Sequence, residues 1–450
     1  MRLAVFTAEF PGRINTFFAR DLCALLRAGV EIDIFPIYPL RAEYWSAVPE
    51  YLNEDVLPRH RVHHVSPLAA LRRRPTPPAW PAQHAISAQS AQPARPARPA
   101  RPAPWRQRWQ FVAETSRVRA SALRFGPEPF VKSEYVYLKA WAWARTAAER
   151  GDRYDHVLAY WGNYAATAAY LFQHLIDRND DHGHDHDVPF SMVLHAHDLY
   201  ERQVFLDAKL ERATNVFVVC EFNRRFLASR FPDLYPRIAH KIHLHHLGLD
   251  LASIAPAFDG RAAHTCLAVG RLDPSKGFDD LLRAAAIVRD RGLDLDVTLV
   301  GDGEQGGALR RLASSLRIED RVHFRGWLTH DAVPAAMRES TMLVHPSRGL
   351  GDAVPTVIKE AMALGTPVIG STAVGIPELL DNGRCGLLVP ERNPERLADA
   401  IARLLHDAAL RDSLGRAGRA FAERTFDLWQ NGERLAGLLS GTQPWSVTSH

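Results

Sequence analysis

The sequence predicts an α/β protein made of two doubly wound parallel sheets. Three observations predict it. Short apolar runs, such as Leu3 to Thr7 and Thr265 to Val269, alternate with amphipathic helical stretches, the pattern of βαβ units. The alternation stops near Asp250 and restarts near His264, across a polar, proline-containing stretch from Ala252 to Ala263 that reads as a linker. The glycine-rich and polar loops follow the strands, at the carboxyl ends where open parallel sheets place their ligands.

In the first half, Leu3 to Thr7 is a strand, residues 8 to 16 form the loop after it, and Phe17 to Ala28 reads as an amphipathic helix. Gly29 ends that helix before the strand Val30 to Phe35. The loop AEFPGRINTF therefore lies at the ligand end, with Asn15 and Thr16 as candidates for substrate contact beside the plain reading of a turn. From Pro67 to about Pro104 the composition turns to proline, alanine and arginine with almost no apolar recurrence, which predicts a disordered or polyproline insertion at about 67–110. Residues 66 to 113 hold eight arginines and no acid, so the formal charge of +4 becomes −4 for the rest of the chain. With Trp80, Trp105 and Trp109 this basic segment suits an anionic membrane surface, beside the plain reading of a low-complexity insert without function. Nucleic acid is disfavoured, because no folded basic face with interleaved aromatics accompanies it.

Helical segments follow between about Ser116 and Arg150, then a strand, His156 to Tyr160, leading into Trp161-Gly162-Asn163 and a helix. The acid- and histidine-rich stretch 177 to 187 reads as a solvated loop in preference to a metal site, since nothing fixes its donors. The next strand delivers His195-Ala196-His197-Asp198 to the same sheet end, where a histidine can donate a hydrogen bond or move a proton. A strand from Val216 to Cys220, a helix starting at Glu221 and the turn Leu247 to Asp250 complete a first domain of residues 1–250.

A second domain, 264–422, opens with the strand Thr265 to Val269, then Gly270-Arg271, Lys276-Gly277 and a helix from about Phe278. On the loop after a first strand, Arg271 and Lys276 can converge on one diphosphate, arginine gripping two oxygens and lysine acting as a mobile point charge. Only six of the 55 basic residues are lysines, which makes Lys276 more informative. Gly301-Asp302-Gly303 is not the dinucleotide-binding glycine pattern, so a nicotinamide enzyme is disfavoured. Met342 to His345 and Pro367 to Gly370 are strands flanking a helix from about Val354 to Leu364. Asp352 and Glu360 stand eight apart there. Gly349, Gly351 and the helix-start amides suit an anionic group, and Glu360 a diol such as a ribose. Residues 423–441 read as one or two closing helices.

Nearly the whole chain outside 67–110 resembles the family 4 retaining glycosyltransferases. Glu360-Ala361-Met362-Ala363 with Gly365-Thr366-Pro367-Val368 is similar to that family's donor-site signature, Asp352 standing where its first glutamate is expected. Gly270-Arg271-Leu272 with Lys276-Gly277 matches its diphosphate motif, and His195 to Asp198 resembles its His-Gly-x-Asp segment, with Ala196 for the glycine. The resemblance implies the GT-B fold, two Rossmann-like domains facing across a cleft, with residues 423–441 crossing back onto the first. It implies donor diphosphate binding by Arg271 and Lys276, sugar and ribose contacts by Asp352 and Glu360, and His195 at the acceptor side with His197 and Asp198 as weaker neighbours. Gly270, Gly326, Trp327, Gly351, Ala353 and Val354 fall on its nucleotide and sugar site. The first-domain motifs resemble the polysaccharide-assembly (colanic acid and exopolysaccharide) branch.

The expected reaction moves a hexose from a UDP- or GDP-sugar to a saccharide or lipid-linked acceptor, with retention and without a metal or resident cofactor. The alternative is a catalytically silent sugar-nucleotide-binding partner of another transferase. Four scattered cysteines with no paired spacing, no apolar run of about 20 residues and a start that reads as a strand lead to the expectation of a reduced, cytoplasmic protein, peripheral on the inner membrane face.

Overall fold

The structure, a computed structural model, describes residues 1–10, 16–38, 52, 55–65, 104–176, 188–200, 203–329, 332–351 and 353–442. Two six-stranded sheets, all of whose recorded strand pairs are parallel, carry the fold. The first comprises β1 (Arg2–Thr7), β2 (Glu31–Pro36), β3 (His156–Ala159), β4 (Phe190–Leu194), β5 (Asn215–Val218) and β6 (Ile242–Leu244), in the order β2-β1-β3-β4-β5-β6. The second comprises β7 (Thr265–Val269), β8 (Asp296–Val300), β9 (Val322–Gly326), β10 (Met342–His345), β11 (Val368–Ser371) and β12 (Leu387–Val389), in the order β12-β11-β10-β7-β8-β9. Numbered within itself, the second sheet has the doubly wound order 3-2-1-4-5-6, which reverses between β7 and β10; the first reverses between β1 and β3. Ligands of such sheets bind at those reversals.

Sixteen helices of α type are found among the described residues, the 3₁₀ turns aside. In the first half they are α1 (Thr16–Arg27), α2 (Pro104–Leu123), α3 (Pro127–Arg150), α4 (Tyr164–Gln173), α5 (Ala196–Tyr200), α6 (Leu206–Arg212), α7 (Glu221–Arg230) and α8 (Tyr235–Ile238). In the second they are α9 (Phe278–Asp290), α10 (Gly306–Ser315), α11 (Ala332–Glu339), α12 (Thr356–Ala363), α13 (Ile376–Leu379), α14 (Pro394–His406), α15 (Ala408–Thr425) and α16 (Leu428–Ser440). No helix among the described residues is long and apolar enough to cross a membrane.

Two boundaries differ from the sequence reading. The insertion expected at about 67–110 gives way to helix at Pro104, because proline is tolerated at a helix start and Trp105 to Ala113 contains no further proline; residues 66–103 lie outside the described residues. The helix expected from Val354 starts two residues later, after Pro355, because a residue before proline is pushed out of the helical region. Ala353 and Val354 instead pack against the first sheet's apolar layer, with Cys220 and Leu247.

The chain crosses back at its end. Leu249 and Asp427 form a parallel bridge, Leu249 N–H donating to Phe426 O at 2.8 Å and Leu428 N–H to Leu249 O at 3.0 Å. A Cβ on Gly248 would lie 2.4 Å from the Leu428 Cα, so only glycine admits this crossing of strands. Helix α16 then lies on α1, where Gly432 meets Ala24, and Leu435, Ala436 and Leu439 join the first sheet's core.

Candidate active site

The second sheet's loops are drawn together by glycines. Gly301, at φ 133°, has its Cβ position 1.9 Å from Gly270 O, and its N–H donates to Gly326 O at 2.8 Å, so the ends of β7, β8 and β9 converge. Beyond β7 the chain makes a 3₁₀ turn, Pro274–Lys276, capped by Asp273, whose side chain accepts from Ser275 N–H at 2.9 Å. Gly277, at φ 66°, lies against the loop after β10: a Cβ there would be 2.1 Å from Pro346 O. Arg348 N–H donates to Ser275 O at 2.7 Å, and its guanidinium Nε bonds Asp280 at 2.9 Å. Gly351 comes within 3.0 Å of Ser275, measured from the Cβ it lacks. The two loops bordering the reversal between β7 and β10 are thus one packed unit.

Lys276 is buried in this unit, its Cδ and Cε 3.6 Å from where a Gly270 Cβ would sit. Arg271 is on the same loop but 67% exposed, 3.3 Å from Asp273. The structure therefore brings Arg271, Lys276, Gly270 and Gly351 to one loop cluster, with the lysine enclosed and the arginine reaching into solvent. Trp327 follows the edge strand β9 and is 72% exposed, an open indole face at the same carboxyl end of the sheet. The Gly349 amide, expected to serve an anion, is already taken: it donates to Glu391 at 2.7 Å. The Ala353 and Val354 side chains fill the apolar seam with Cys220 and Leu247. Asp352 lies outside the described residues.

Glu360 faces the other sheet from α12, its Oε1 3.4 Å from Arg20 Nη2 on α1, and both side chains are largely buried. Next to it Lys359 is fully enclosed. Its ammonium donates to Leu247 O at 2.7 Å, and burial brings its pKa down to about 7.

Across the cleft, His195 ends β4. Its backbone N–H is accepted by Asp198 Oδ2 at 2.9 Å, the return half of a capping box at the start of α5. Asp198 is fully buried, and its carboxylate caps this turn. The His195 ring sits among Phe17, Tyr160 and Trp161, with centroids 5.2, 5.4 and 5.5 Å away. Lys209, buried beneath, donates to Gly162 O at 2.8 Å, Asn163 O at 3.2 Å and Thr167 Oγ1 at 3.2 Å, fixing the loop after β3. Thr16 is the first residue of α1, half-buried. Asn15 and the 177–187 stretch lie outside the described residues, as does the side chain of His197.

Helix α1 joins the two sides. Phe17 and Arg20 are three residues apart and so share a face; one touches the His195 ring, the other Glu360. Arg20 was not singled out from the sequence: it lies off the stripe of buried residues Phe18, Leu22 and Leu25 on α1, and its partner is 340 residues away. Nor was Lys209, for which pattern offered no signal.

A family model described as "Glycosyl transferases group 1" matches residues 263–407. The chain is 32% identical over 276 residues to the GDP-mannose-dependent alpha-(1-6)-phosphatidylinositol monomannoside mannosyltransferase of Mycolicibacterium smegmatis, covering 57% of this chain and 69% of that one. It is 30% identical over 172 residues to the alpha-D-kanosaminyltransferase of Streptomyces kanamyceticus, covering 38% of this chain and 44% of that one, so with several relatives it shares only about half their length. Among solved structures, sucrose-phosphate synthase from Thermosynechococcus elongatus superposes with a TM-score of 0.61 at 19% identity, covering 97% of this chain and 98% of that one. Anabaena HepE in complex with UDP gives 0.62 at 17%, covering 98% and 99%. These likenesses show the GT-B fold, and with the mannosyltransferase match they show that the chain belongs to the group 1 glycosyltransferases.

Proposed function

We propose that this chain is a retaining, metal-independent glycosyltransferase that moves a hexose from a UDP- or GDP-sugar to a lipid-linked saccharide in exopolysaccharide or lipopolysaccharide assembly. The observation that carries the reading is the packed loop pair at the reversal between β7 and β10, which encloses Lys276, projects Arg271 and stands across from α1. An enclosed lysine and an exposed arginine at one sheet end are suited to the charge that develops on a departing diphosphate, the service a metal gives elsewhere. Glu360 accepts from the ribose hydroxyls, Asp352 from the sugar ring hydroxyls, and the exposed Trp327 offers a face to the base. His195, held in its aromatic surround, lines the acceptor side. The mannosyltransferase relative is named for a GDP-mannose donor and a phosphatidylinositol mannoside, which favours a lipid-linked acceptor and makes GDP-mannose the first donor to try. No resident cofactor enters this scheme. The arginine-rich segment 67–110 gives the enzyme its hold on the anionic inner face of the membrane.

The test is incubation with UDP- and GDP-hexoses in excess chelator, reading release of nucleoside diphosphate and the anomeric proton of the product. Turnover with retained configuration is expected, and Arg271→Ala should abolish it. Binding without turnover, slow hydrolysis included, would instead establish a silent sugar-nucleotide-binding protein. Deletion of 67–103 should weaken binding to anionic vesicles; unchanged binding rejects the membrane assignment.

A further inference from the structure

The proposed donor site leaves Arg20 without a part, and its position gives it one. Arg20 lies on α1 of the first sheet, yet its guanidinium contacts the carboxylate of Glu360 on α12 of the second, at 3.4 Å, with side chains 11% and 14% exposed. Nothing else recorded among the described residues hydrogen-bonds the Glu360 side chain, so Oε2 keeps its lone pairs. The adjacent cation, Lys359, is turned away to Leu247 O.

Arg20 is itself held in place. Its neighbour Asp21, buried, accepts from the Tyr160 hydroxyl and from His245 Nε2 at 2.8 Å, which ties this turn of α1 to β3 and to the segment after β6. Three residues earlier Phe17 packs on the His195 ring. The guanidinium is therefore delivered to Glu360 by a turn anchored on both sides. A carboxylate has about four lone-pair directions and accepts from more than one donor at once. A cation held on Oε1 restricts the carboxylate's rotation and leaves Oε2 able to accept from a ligand.

We propose that Arg20 is a positioning residue for donor recognition: it orients Glu360 to accept from the ribose diol, and so makes the ribose preference of the second domain depend on a residue of the first. The inference rests on the reading of Glu360 as the ribose acceptor. It also means that ribose recognition is complete only when the two sheets are in the arrangement described above.

The test compares affinities of the full-length protein for GDP and UDP with their 2′,3′-dideoxy counterparts by titration calorimetry. Wild type should prefer the ribonucleotides by roughly 10- to 100-fold, the size of a charge-assisted hydrogen-bond pair, and Glu360→Gln should lose most of that preference. Arg20→Met should reduce the preference to about threefold or less while leaving affinity for the dideoxy compounds unchanged. Arg20→Gln, which keeps a polar head in the same space, should do the same, and serves should the methionine variant not fold. Retained wild-type preference in a folded Arg20 variant overturns the proposal. Equal weakening of both compound classes also overturns it, since Arg20 would then bind the nucleotide directly or act through stability. No preference in wild type would reject the ribose role of Glu360, and the proposal with it.

Discussion

The ammonium of Lys359 donates a 2.7 Å hydrogen bond to the carbonyl of Leu247, inside the seam where the two sheets meet. Burial first, and the Arg20 guanidinium second, depress this lysine from 10.5 to about 7. A base with a folded pKa below its unfolded one binds fewer protons when folded, so wild-type stability should rise with pH between about 7 and 10.5 as the unfolded state alone retains the proton. Lys359→Met removes that dependence. The variant's stability relative to wild type should be greatest near pH 6 to 7 and decline by about 2 kcal/mol over the next two pH units. Denaturant titrations at three pH values read it, and a difference that stays constant with pH refutes it.

Gly277 makes the donor loop testable independently of chemistry. Its φ of 66° and the 2.1 Å approach of Pro346 O to its Cβ position both exclude a side chain. Gly277→Ala should cost about 1–2 kcal/mol from the left-handed backbone alone, and the clash must separate the Lys276 loop from the loop after β10. The expected outcome is a folded protein whose melting temperature no longer rises with nucleotide sugar, since ligand stabilisation follows affinity. A ligand-induced shift equal to wild type would show that the loop pair is not the donor site.

Much of this was legible in the chain because βαβ periodicity and loop chemistry are local. The strands Leu3 to Thr7 and Thr265 to Val269, the turn at Gly277 and the placement of Arg271 and Lys276 after β7 all follow from residues close in sequence. What was not legible depends on contacts over long separations. That the Gly349 amide is consumed by Glu391, that Asp198 caps its own turn in a buried place, and that Arg20 reaches Glu360 are consequences of how loops and sheets meet. The start of α12 was misplaced for a local reason, the effect of Pro355 on Val354, and that was readable.

Lys209 supports the loop beside His195 from below. It is fully buried, with its pKa brought down to about 7 by desolvation, and it serves Gly162 O, Asn163 O and Thr167 Oγ1. Lys209→Met keeps the apolar stem but leaves those acceptors without their donor, at a cost of about 1–3 kcal/mol for each group that water cannot reach. Stability should fall by about 3 kcal/mol. Turnover should drop while donor affinity stays within about twofold, because the donor loops lie on the other sheet. Loss of donor affinity in step with turnover would deny the residue its acceptor-side role.

The return helix offers the last prediction. A Cβ on Gly432 would lie 2.3 Å from the Ala24 Cβ, so α16 and α1 touch at their backbones and no larger residue fits between them. Gly432→Val must push α16 off α1, costing about 1–3 kcal/mol by overpacking. Because α1 carries Phe17 to His195 and Arg20 to Glu360, its displacement should reduce turnover more than it reduces binding of a nucleoside diphosphate to Arg271 and Lys276. Gly432→Ala combined with Ala24→Gly moves the single methyl to the other helix and should recover most of the stability and the activity. Native turnover in Gly432→Val, or no recovery in the paired variant, would mean that the close contact of α16 with α1 does not set the geometry of the cleft.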